Sequence, residues 1–257
     1  MIPSSLFDLT GKTAIVTGGG NGIGKASCKL LAAYGANVVV SDYNSESANA
    51  VVKEIQKEGG NAIAIDCDVT KDEELVQLVE GTLKAFGQIN ILVNNVGGGG
   101  AGKESPSQIK VDQFKKVFEM NVFSMWRMCQ LVAPHMQESG YGSIINMSSM
   151  ASINSSPAIS AYASSKAAIN HMTRNLAFDF GPVIRINAIG PGAIHTDALA
   201  KVLTPEIEKK MLAHTPLQRL GKPEDIAGAV LYFASPISNW VSGQVLFVNG
   251  GGVQTLD

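Results

Sequence analysis

The chain has 257 residues, with 20 Lys and Arg against 22 Asp and Glu, a formal net charge of −2. Such a chain lacks the positive field that non-specific nucleic-acid binding requires, and at this length an α/β chain can form one domain, here expected over residues 1–257. Only 16% of its residues are charged and 45% are hydrophobic, which indicates an oligomer with buried outer surfaces rather than a membrane protein.

Short β-branched runs alternate with longer amphipathic runs along nearly the whole chain, a pattern typical of a parallel sheet covered by helices on both faces. The runs predicted as strands are 13–17, 38–40, 62–65, 89–93, 143–146, 184–188 and 245–248. The runs predicted as helices are 22–34, 45–58, 72–86, 111–137, 161–180 and 223–234. The sequence therefore predicts a single-domain Rossmann-type α/β fold, a doubly wound parallel sheet of about seven strands.

The alternation lapses between Gly192 and Leu220, a segment that follows a strand end and contains Pro205 and Pro216. Open α/β sheets bind ligands beyond the carboxyl ends of their strands. The segment is therefore predicted to form a small helical lid over a substrate pocket. An ordinary surface excursion is the alternative.

Several other classes are excluded by what the chain lacks. Cys28, Cys67 and Cys129 are odd in number and lie far apart, so we expect buried thiols rather than disulfides or zinc ligands. The four histidines show no metal-ligand spacing and no Gly-x-Ser-x-Gly motif occurs, so no metal site and no triad are predicted. No bilayer-spanning apolar run and no signal-peptide pattern occur, so a cytoplasmic protein is expected.

A glycine-rich turn, residues 17–24, joins the first predicted strand to the first predicted helix. Such a turn lets backbone amides at a helix N-terminus approach a pyrophosphate. Asp42 ends the second strand, where its carboxylate can accept hydrogen bonds from a ribose diol and would repel a 2′-phosphate. Because no Lys or Arg occurs at 19–21 or 43–45, NAD is favoured over NADP.

Tyr162 and Lys166 lie four residues apart on a predicted helix and so share one face, about 6 Å apart along the axis. Such a pair can transfer a proton. A free tyrosine has a pKa of about 10, and lowering it by roughly 3 units requires about 4 kcal/mol. The neighbouring ammonium and the positive nicotinamide of NAD+ are expected to supply this. A surface pair is the alternative.

The spacing of Gly18, Gly22 and Gly24 resembles that of the short-chain dehydrogenase/reductase family. Asp68 with Val69 matches the family's adenine-side aspartate, and residues 94–97 match its Asn-Asn-Ala-Gly turn, with Val96 in place of the usual alanine. Asn94 would either bind cofactor or brace the sheet. The cofactor-binding residues implied are Gly18, Asn21, Gly22, Ile23, Gly24, Asp42, Asp68, Val69, Asn95, Gly97, Tyr162, Lys166, Ile194 and Thr196.

The same resemblance implies a catalytic set of Ser149, Tyr162, Lys166 and Asn121. Ser149 would orient the substrate oxygen, with neighbouring Ser148 as a weaker candidate. Tyr162 would act as general base and Lys166 would also hold the nicotinamide ribose. Asn121 would keep a water in the proton relay. The segment 191–196 matches the family segment beside the cofactor, in which His195 is interpreted as a lid residue.

Over its whole length the sequence also resembles the bacterial members of the family that oxidise the 7α-hydroxyl of bile acids with NAD+. Two interpretations fit a set of six apolar residues: they line a slot that binds the steroid, or they belong to the ordinary packing of the core and the lid. The residues are Met147, Met150, Ile153, Leu199, Val202 and Met211. The alternatives are another activity of the family, such as 3-oxoacyl thioester reduction or broad secondary-alcohol oxidation, and a non-catalytic NAD-sensing protein. The resemblance also implies a homotetramer.

Overall fold

The computed structural model describes residues 4–99, 105–200 and 203–252 of the chain. Its centre is a sheet of seven parallel strands in the order β3-β2-β1-β4-β5-β6-β7. The strands are β1 (Thr13–Thr17), β2 (Asn37–Asp42), β3 (Asn61–Asp66), β4 (Ile91–Asn94), β5 (Gly142–Met147), β6 (Ile184–Pro191) and β7 (Val245–Val248). The predicted doubly wound α/β fold is thereby confirmed.

Helices cover both faces of the sheet. They are α1 (Gly22–Ala33), α2 (Ser45–Lys57), α3 (Asp72–Phe86), α4 (Val111–Phe118), α5 (Ser124–Glu138), α6 (Ser160–Asp179), α7 (Asp197–Ala200), α8 (Pro205–Ala213) and α9 (Pro223–Ala234). Helices α1, α2 and α9 share one hydrophobic core with the sheet, and α3, α5 and α6 share the other. Short 3₁₀ turns occupy Ser4–Phe7, Met150–Ser152 and Pro236–Ser238.

The central strands are buried on both faces because their side chains alternate between the two cores. In β1, Ala14 and Val16 belong to the core beneath α1, whereas Ile15 belongs to the core beneath α5. All three are fully buried. Burying one such valine or isoleucine stabilises the fold by about 1.5–3 kcal/mol, so strands of this kind read as continuous apolar runs.

The helix predicted over 111–137 is wrong in one respect, since it is not continuous. A π-turn over Glu119–Phe123 separates α4 from α5. The turn places the side chain of Asn121 against the backbone of Gly98, with which it makes two hydrogen bonds. This long-range contact gives the helix its irregularity.

The strand order reverses between β1 and β4, and their carboxyl ends flank the crevice where such sheets bind ligands. Cys28, Cys67 and Cys129 are buried free thiols, as expected, and burial raises the pKa of Cys67 to about 11 and that of Cys129 to about 12. No helix in the described part of the chain is both long enough and apolar enough to cross a bilayer.

Candidate active site

The glycine-rich turn connects β1 directly to α1 at the crevice. Gly18 and Gly22 have φ angles of +65° and +52°, a conformation that side chains rarely adopt. A Cβ at Gly24 would overlap the carbonyl oxygen of Gly18, so the first turn of α1 lies against the end of the strand. The three glycines leave backbone bare where a pyrophosphate would approach the helix N-terminus.

Asn21 and Thr196 lie on the open side of this turn, whereas Ile23 lies beneath it. Asn21 is exposed and its side chain makes no capping hydrogen bond to α1. Ile23 is half-buried against the core under α1. A Cβ at Gly22 would lie 3.3 Å from Cγ2 of Thr196, so the segment after β6 faces the turn across a narrow groove.

Asp42 ends β2 with its carboxylate held by backbone on both oxygens. Oδ2 accepts from the N–H of Gly20 at 3.0 Å, and Oδ1 accepts from the N–H of Asn44 at 3.0 Å. The residue is only 6% exposed. Because each carboxylate oxygen can accept a second hydrogen bond, the geometry leaves acceptor capacity for a ribose diol.

Asp68 and Val69 follow β3 on the same edge of the sheet. Asp68 accepts from the N–H and the hydroxyl of Thr70, and these hydrogen bonds lower the pKa of its carboxyl group. Val69 is buried in the core beneath α3. The turn around Asp68 is therefore ordered by its own hydrogen bonds.

Asn94 and Asn95 both brace strand ends. The Asn94 amide donates to Oδ1 of Asn146 at 2.9 Å, across the β4–β5 pair, which favours the sheet-bracing alternative over direct cofactor contact. The Asn95 amide donates to the carbonyl oxygens of Thr17 and Gly18 at 3.0 and 3.1 Å. Its side chain thus fixes the glycine-rich turn from behind.

Lys166 extends from α6 to the end of β5. Its ammonium donates to the carbonyl oxygen of Met147 at 2.7 Å and lies 5.7 Å from the ring centre of Tyr162. A Cβ at Gly97 would lie 2.7 Å from its Nζ, so a larger residue at 97 would push the ammonium aside. The side chain of Lys166 is only 3% exposed.

The two serines after β5 have different surroundings. The hydroxyl of Ser148 donates to the carbonyl oxygen of Lys166 at 3.2 Å and is buried against α6. The Ser149 hydroxyl accepts from the N–H of Ala151 at 3.1 Å and forms a hydrogen bond with the phenol of Tyr162. The structure therefore brings Ser149, not Ser148, together with Tyr162.

Burial is the main influence on the pKa values of Tyr162 and Lys166 in the chain by itself. Burial raises the pKa of the Tyr162 phenol above its ordinary value, and the hydrogen bond from Ser149 only partly offsets this. Burial lowers the pKa of Lys166 to about 8, because the ammonium is desolvated. In the chain by itself the ammonium is directed to Met147, and the expectation that Lys166 and NAD+ together lower the tyrosine pKa stays a prediction.

Asn121 occupies the π-turn with its side chain fully engaged. Its Oδ1 accepts from the N–H of Gly98 at 2.9 Å, and its amide donates to the Gly98 carbonyl oxygen and to the Ser165 hydroxyl, both at 2.8 Å. The residue is 1% exposed. Because both amide protons and the Oδ1 of Asn121 are already hydrogen-bonded, we expect any contact with a proton relay to come from its backbone.

Ile194 and His195 lie where the predicted lid, residues 192–220, leaves β6. Ile194 is buried and forms an isolated parallel bridge with Gly221 at the other end of the lid. His195 is exposed, and its backbone N–H donates to the Gly221 carbonyl oxygen at 2.8 Å. The two ends of the lid are therefore joined at its base.

The proposed slot residues are not equivalent. Met147 and Met150 are buried, and Met147 belongs to the core, which favours ordinary packing for these two. Ile153 is exposed beside the Ser149 turn, and Leu199 and Met211 are half-buried in the lid. Val202 lies outside the described residues, as does Gly100 of the glycine run after β4.

Sequence reasoning missed three supporting groups. The Thr17 hydroxyl accepts from the N–H of Asn95 at 3.0 Å, and Gly98 holds Asn121 as described above. Ser165 receives the Asn121 amide and donates to the carbonyl oxygen of Tyr162 at 2.7 Å. Ser165 lies within the Tyr-Lys motif, but no local pattern indicates its partner on another helix.

Comparisons with known proteins establish which family the chain belongs to. A family model described as enoyl-(acyl carrier protein) reductase matches residues 18–252. The chain is 51% identical over 258 residues to the 7α-hydroxysteroid dehydrogenase of Escherichia coli (strain K12), covering 100% of both chains. It is 40% identical over 245 residues to the 7α-hydroxysteroid dehydrogenase of Clostridium sardiniense, covering 95% of this chain and 94% of the relative.

Among solved structures, a 7α-hydroxysteroid dehydrogenase complexed with NADH and 7-oxo glycochenodeoxycholic acid superposes with a TM-score of 0.96. It is 51% identical, and the match covers 100% of both chains. These likenesses extend through the glycine-rich turn, the Tyr-Lys helix and the lid. The chain therefore belongs to the short-chain dehydrogenase/reductase family.

Proposed function

We propose that the protein is an NAD-dependent 7α-hydroxysteroid dehydrogenase, which oxidises the 7α-hydroxyl of bile acids to a ketone by hydride transfer. The observation that carries this proposal is the full-length likeness, at a TM-score of 0.96, to a relative solved with NADH and a 7-oxo bile acid. Because the likeness includes the lid, it reaches beyond the nucleotide-binding half that many members of a family share.

Ser149 orients the substrate oxygen. Its Oγ accepts the N–H of Ala151, and its single hydroxyl proton is engaged with the Tyr162 phenol, so a substrate oxygen binds by taking over that hydrogen bond. A substrate alcohol placed against Ser149 also lies beside the phenol of Tyr162, which hydrogen-bonds the same serine. Two oxygens then hold one substrate oxygen as it changes from alcohol to carbonyl.

Tyr162 removes the hydroxyl proton as general base while the hydride leaves the C7 carbon. When bound, NAD+ supplies the hydride acceptor and a positive charge beside the phenol. That charge matters, because burial within the chain raises the pKa of Tyr162. Burial therefore increases the preferential stabilisation of the phenolate that the bound cofactor and Lys166 must supply.

Lys166 supports this step as a buried cation. With a pKa of about 8 it remains mostly protonated at neutral pH, and its ammonium is held at Met147 within 5.7 Å of the tyrosine ring centre. Its proposed second role is to hold the nicotinamide ribose. Gly97 leaves the space that both roles need.

Asn121 orders the region around the proton pathway. Its side chain clamps Gly98 to Ser165, so its proposed role in the relay belongs to the backbone of the π-turn. This refines the expected water-holding role, which stays a prediction.

The cofactor residues fit a dinucleotide without a 2′-phosphate. Asp42 presents an acidic group at the ribose position, and the glycine-rich turn presents bare backbone at the pyrophosphate position. The proposed contacts divide among four segments. They are Gly18, Asn21, Gly22, Ile23 and Gly24; Asp42, Asp68 and Val69; Asn95 and Gly97; and Ile194 and Thr196.

A second candidate is reduction of an acyl thioester, which the description of the matching family model favours. The experiment is a substrate panel in which NADH or NADPH formation or loss is followed by absorbance. It contains chenodeoxycholate, 3-hydroxybutyryl and 3-oxobutyryl thioesters, and a simple secondary alcohol, each with both cofactor types.

Oxidation of chenodeoxycholate with NAD+, at a kcat/KM well above that of the other substrates, is the expected result. Faster turnover of the thioesters would favour the second candidate. A protein that binds NAD+ without turning over any substrate would instead be a sensor. Tyr162→Phe should lose this turnover. Tyr141→Phe is its matched control, because the Tyr141 phenol donates to the Ala234 carbonyl oxygen and lies outside the site.

We also propose a homotetramer. Large apolar side chains on the outer faces support it, namely Phe123, Trp126, Phe178 and Trp240, of which Trp240 is fully exposed. Sedimentation equilibrium measures the mass directly. A mass of about 108 kDa, four times the 27.0 kDa chain, is expected, and a monomer at micromolar concentration would contradict it.

A further inference from the structure

The turn that carries Ser149 is fastened to α6 by a short chain of hydrogen bonds. The amide of Asn170 donates to the Ser152 hydroxyl at 2.8 Å, and that hydroxyl donates to the Ser149 carbonyl oxygen at 2.6 Å. The backbone N–H of Ser152 donates to the same carbonyl oxygen at 3.0 Å. The carbonyl of Ser149 is thus held from two sides.

The direction of this chain is fixed by the number of protons available. Ser152 has one hydroxyl proton, which it gives to Ser149, so it can only accept from Asn170. The amide of Asn170 must therefore present its nitrogen to Ser152. Its Oδ1 is consequently buried without a hydrogen-bond partner among the described residues, and the whole residue is 7% exposed.

An unpartnered buried acceptor is costly and uncommon in native proteins, so its orientation needs a reason. The reason visible in the structure is the amide nitrogen of Asn170, which donates to the Ser152 hydroxyl. A side-chain amide provides this donor together with the unpartnered oxygen. The orphaned oxygen is the consequence of aiming that donor at Ser152.

Asn170 stands on the helix that carries the proton-transfer pair. It follows Lys166 by four residues and Tyr162 by eight, so the three side chains occupy successive turns of one side of α6, about 12 Å from first to last. One rigid helix therefore carries Tyr162 and also grips the turn that presents Ser149.

We propose that Asn170, through Ser152, is a positioning residue that holds Ser149 at its working distance from Tyr162. This inference rests on the proposed function, because it assigns Ser149 the role given there. Asn170 does not touch substrate, cofactor or the reacting atoms. It acts by holding the 149–152 turn at a fixed position against α6.

The neighbouring Ser148 shows why the effect should be confined to this turn. Ser148 separately ties the end of β5 to α6 through the Lys166 carbonyl oxygen. When Asn170 is shortened, the strand end and Lys166 remain anchored. Only the three residues after Ser149 lose their link to the helix.

The test uses Asn170→Ala and Ser152→Ala in the full-length protein, with Thr173→Val as control. Thr173 also lies on α6 and accepts a buried hydrogen bond, from Asn146 at 3.0 Å, but it has no link to the Ser149 turn. Two readouts are taken for every variant: steady-state oxidation kinetics, and hydrogen exchange of the peptide covering residues 149–154.

The expected kinetic result is a loss of kcat of about 10- to 100-fold in both test variants, as misplacement of a reacting group produces. The KM for NAD+ stays within about twofold, and the double variant loses no more than the worse single one, because both act on one chain. In a Ser149→Ala background, Asn170→Ala has no further effect. Thr173→Val keeps its kcat even if its melting temperature falls.

The expected exchange result is about tenfold faster labelling of 149–154 in Asn170→Ala, which loses one hydrogen bond, and at least as large an effect in Ser152→Ala, which loses two. Thr173→Val should show no change. Unchanged exchange there, or an equal kcat loss in the Ser149→Ala background, would overturn the proposal. The two proposals fail separately: a wild-type protein that oxidises no alcohol refutes the function, while hydrogen exchange still decides whether Asn170 holds the turn.

Discussion

Two regions of the molecule face each other across the crevice and are built differently. At the carboxyl ends of β1, β4 and β5, buried polar side chains such as Asn94, Asn121 and Lys166 each have specific partners. In the predicted lid, α8 buries no residue, and Leu217 is 65% exposed. The end of the sheet is held by buried side-chain hydrogen bonds, whereas α8 packs no buried side chain against the rest of the described chain.

This difference indicates that the end of the sheet carries out the chemistry and that the lid selects the substrate. Groups that move a proton must be held within a fraction of an ångström, which the hydrogen-bond network of the sheet end provides. A surface that encloses an apolar substrate can remain loosely packed and close over it. Variants of the sheet end should therefore change kcat or stability, and lid variants should change the KM for substrate.

The largest effect is expected from Tyr162→Phe, which removes the proton acceptor and little else. Because general-base catalysis contributes about 10²- to 10⁴-fold, kcat should fall by that range with the affinity for NAD+ preserved. Steady-state kinetics and a fluorescence titration with NADH measure the two quantities. Retention of more than about a tenth of the activity would give the role of base to another group.

Lys166→Met should remove a pH dependence of stability. The folded-state pKa of about 8 lies below the ordinary lysine value of 10.5, so burying the ammonium costs stability that is recovered as the pH rises from about 8 to 10.5. The cost is on the order of 3 kcal/mol at pH 7. Urea unfolding should show that the free energy of unfolding of the wild type rises relative to that of the variant between pH 7 and pH 10. The same difference in unfolding free energy at both pH values would contradict this.

Gly24→Ala should damage the nucleotide turn, because its Cβ would overlap the carbonyl oxygen of Gly18. Backbone strain of this kind costs about 1–3 kcal/mol and should weaken NADH binding. The control is Gly228→Ala in α9, where a Cβ meets nothing within 4 Å. The control should be neutral or stabilised by about 0.5–1 kcal/mol in thermal unfolding; equal behaviour of the two variants would show that the turn can relax.

The smallest effect is expected at the base of the lid. Arg219 and Asp225 form an exposed two-bond ion pair at 2.6 and 2.9 Å, which lowers the pKa of Asp225 to about 2. The stability that this ion pair contributes to the fold is therefore present above about pH 4 and is lost as the pH falls through about 2. Arg219→Gln should change stability by less than about 1 kcal/mol.

The same variant should raise the KM for bile acid a few-fold and leave the KM for NAD+ unchanged. Arg127→Gln, which breaks an ion pair to Asp72 between α5 and α3, is the matched control and should leave both KM values unchanged. A lower kcat with unchanged KM in Arg219→Gln would contradict the assignment of substrate binding to the lid and of catalysis to the sheet end.

Local sequence signals were sufficient for most of the architecture. Helix α9 and strand β7 begin and end at the predicted residues, because a proline starts the helix and a run of four apolar residues defines the strand. The parallel, doubly wound sheet follows from the regular alternation, whereas the order of its strands comes from the structure. The grouping of Ser149, Tyr162 and Lys166 was also predicted, from the spacing of the motif and the family resemblance.

The remaining features depend on contacts between distant residues. The π-turn exists because Asn121 bonds to Gly98, which is 23 residues earlier. Asn95 supports the glycine-rich turn 77 residues before it, although the sequence indicated a cofactor contact. Asn170 and Ser152 have no local signature, because their pairing arises only when the turn after β5 packs on α6.

The account is tested most directly by a competition experiment with the wild-type protein. Equal amounts of chenodeoxycholate and its 7β epimer, ursodeoxycholate, are incubated with NAD+, and the steroids and NADH are quantified together. The predicted result is consumption of the 7α epimer alone, with one 7-oxo product formed per NADH. Equal consumption of both epimers, or NADH formation without a 7-oxo product, would contradict the proposed function.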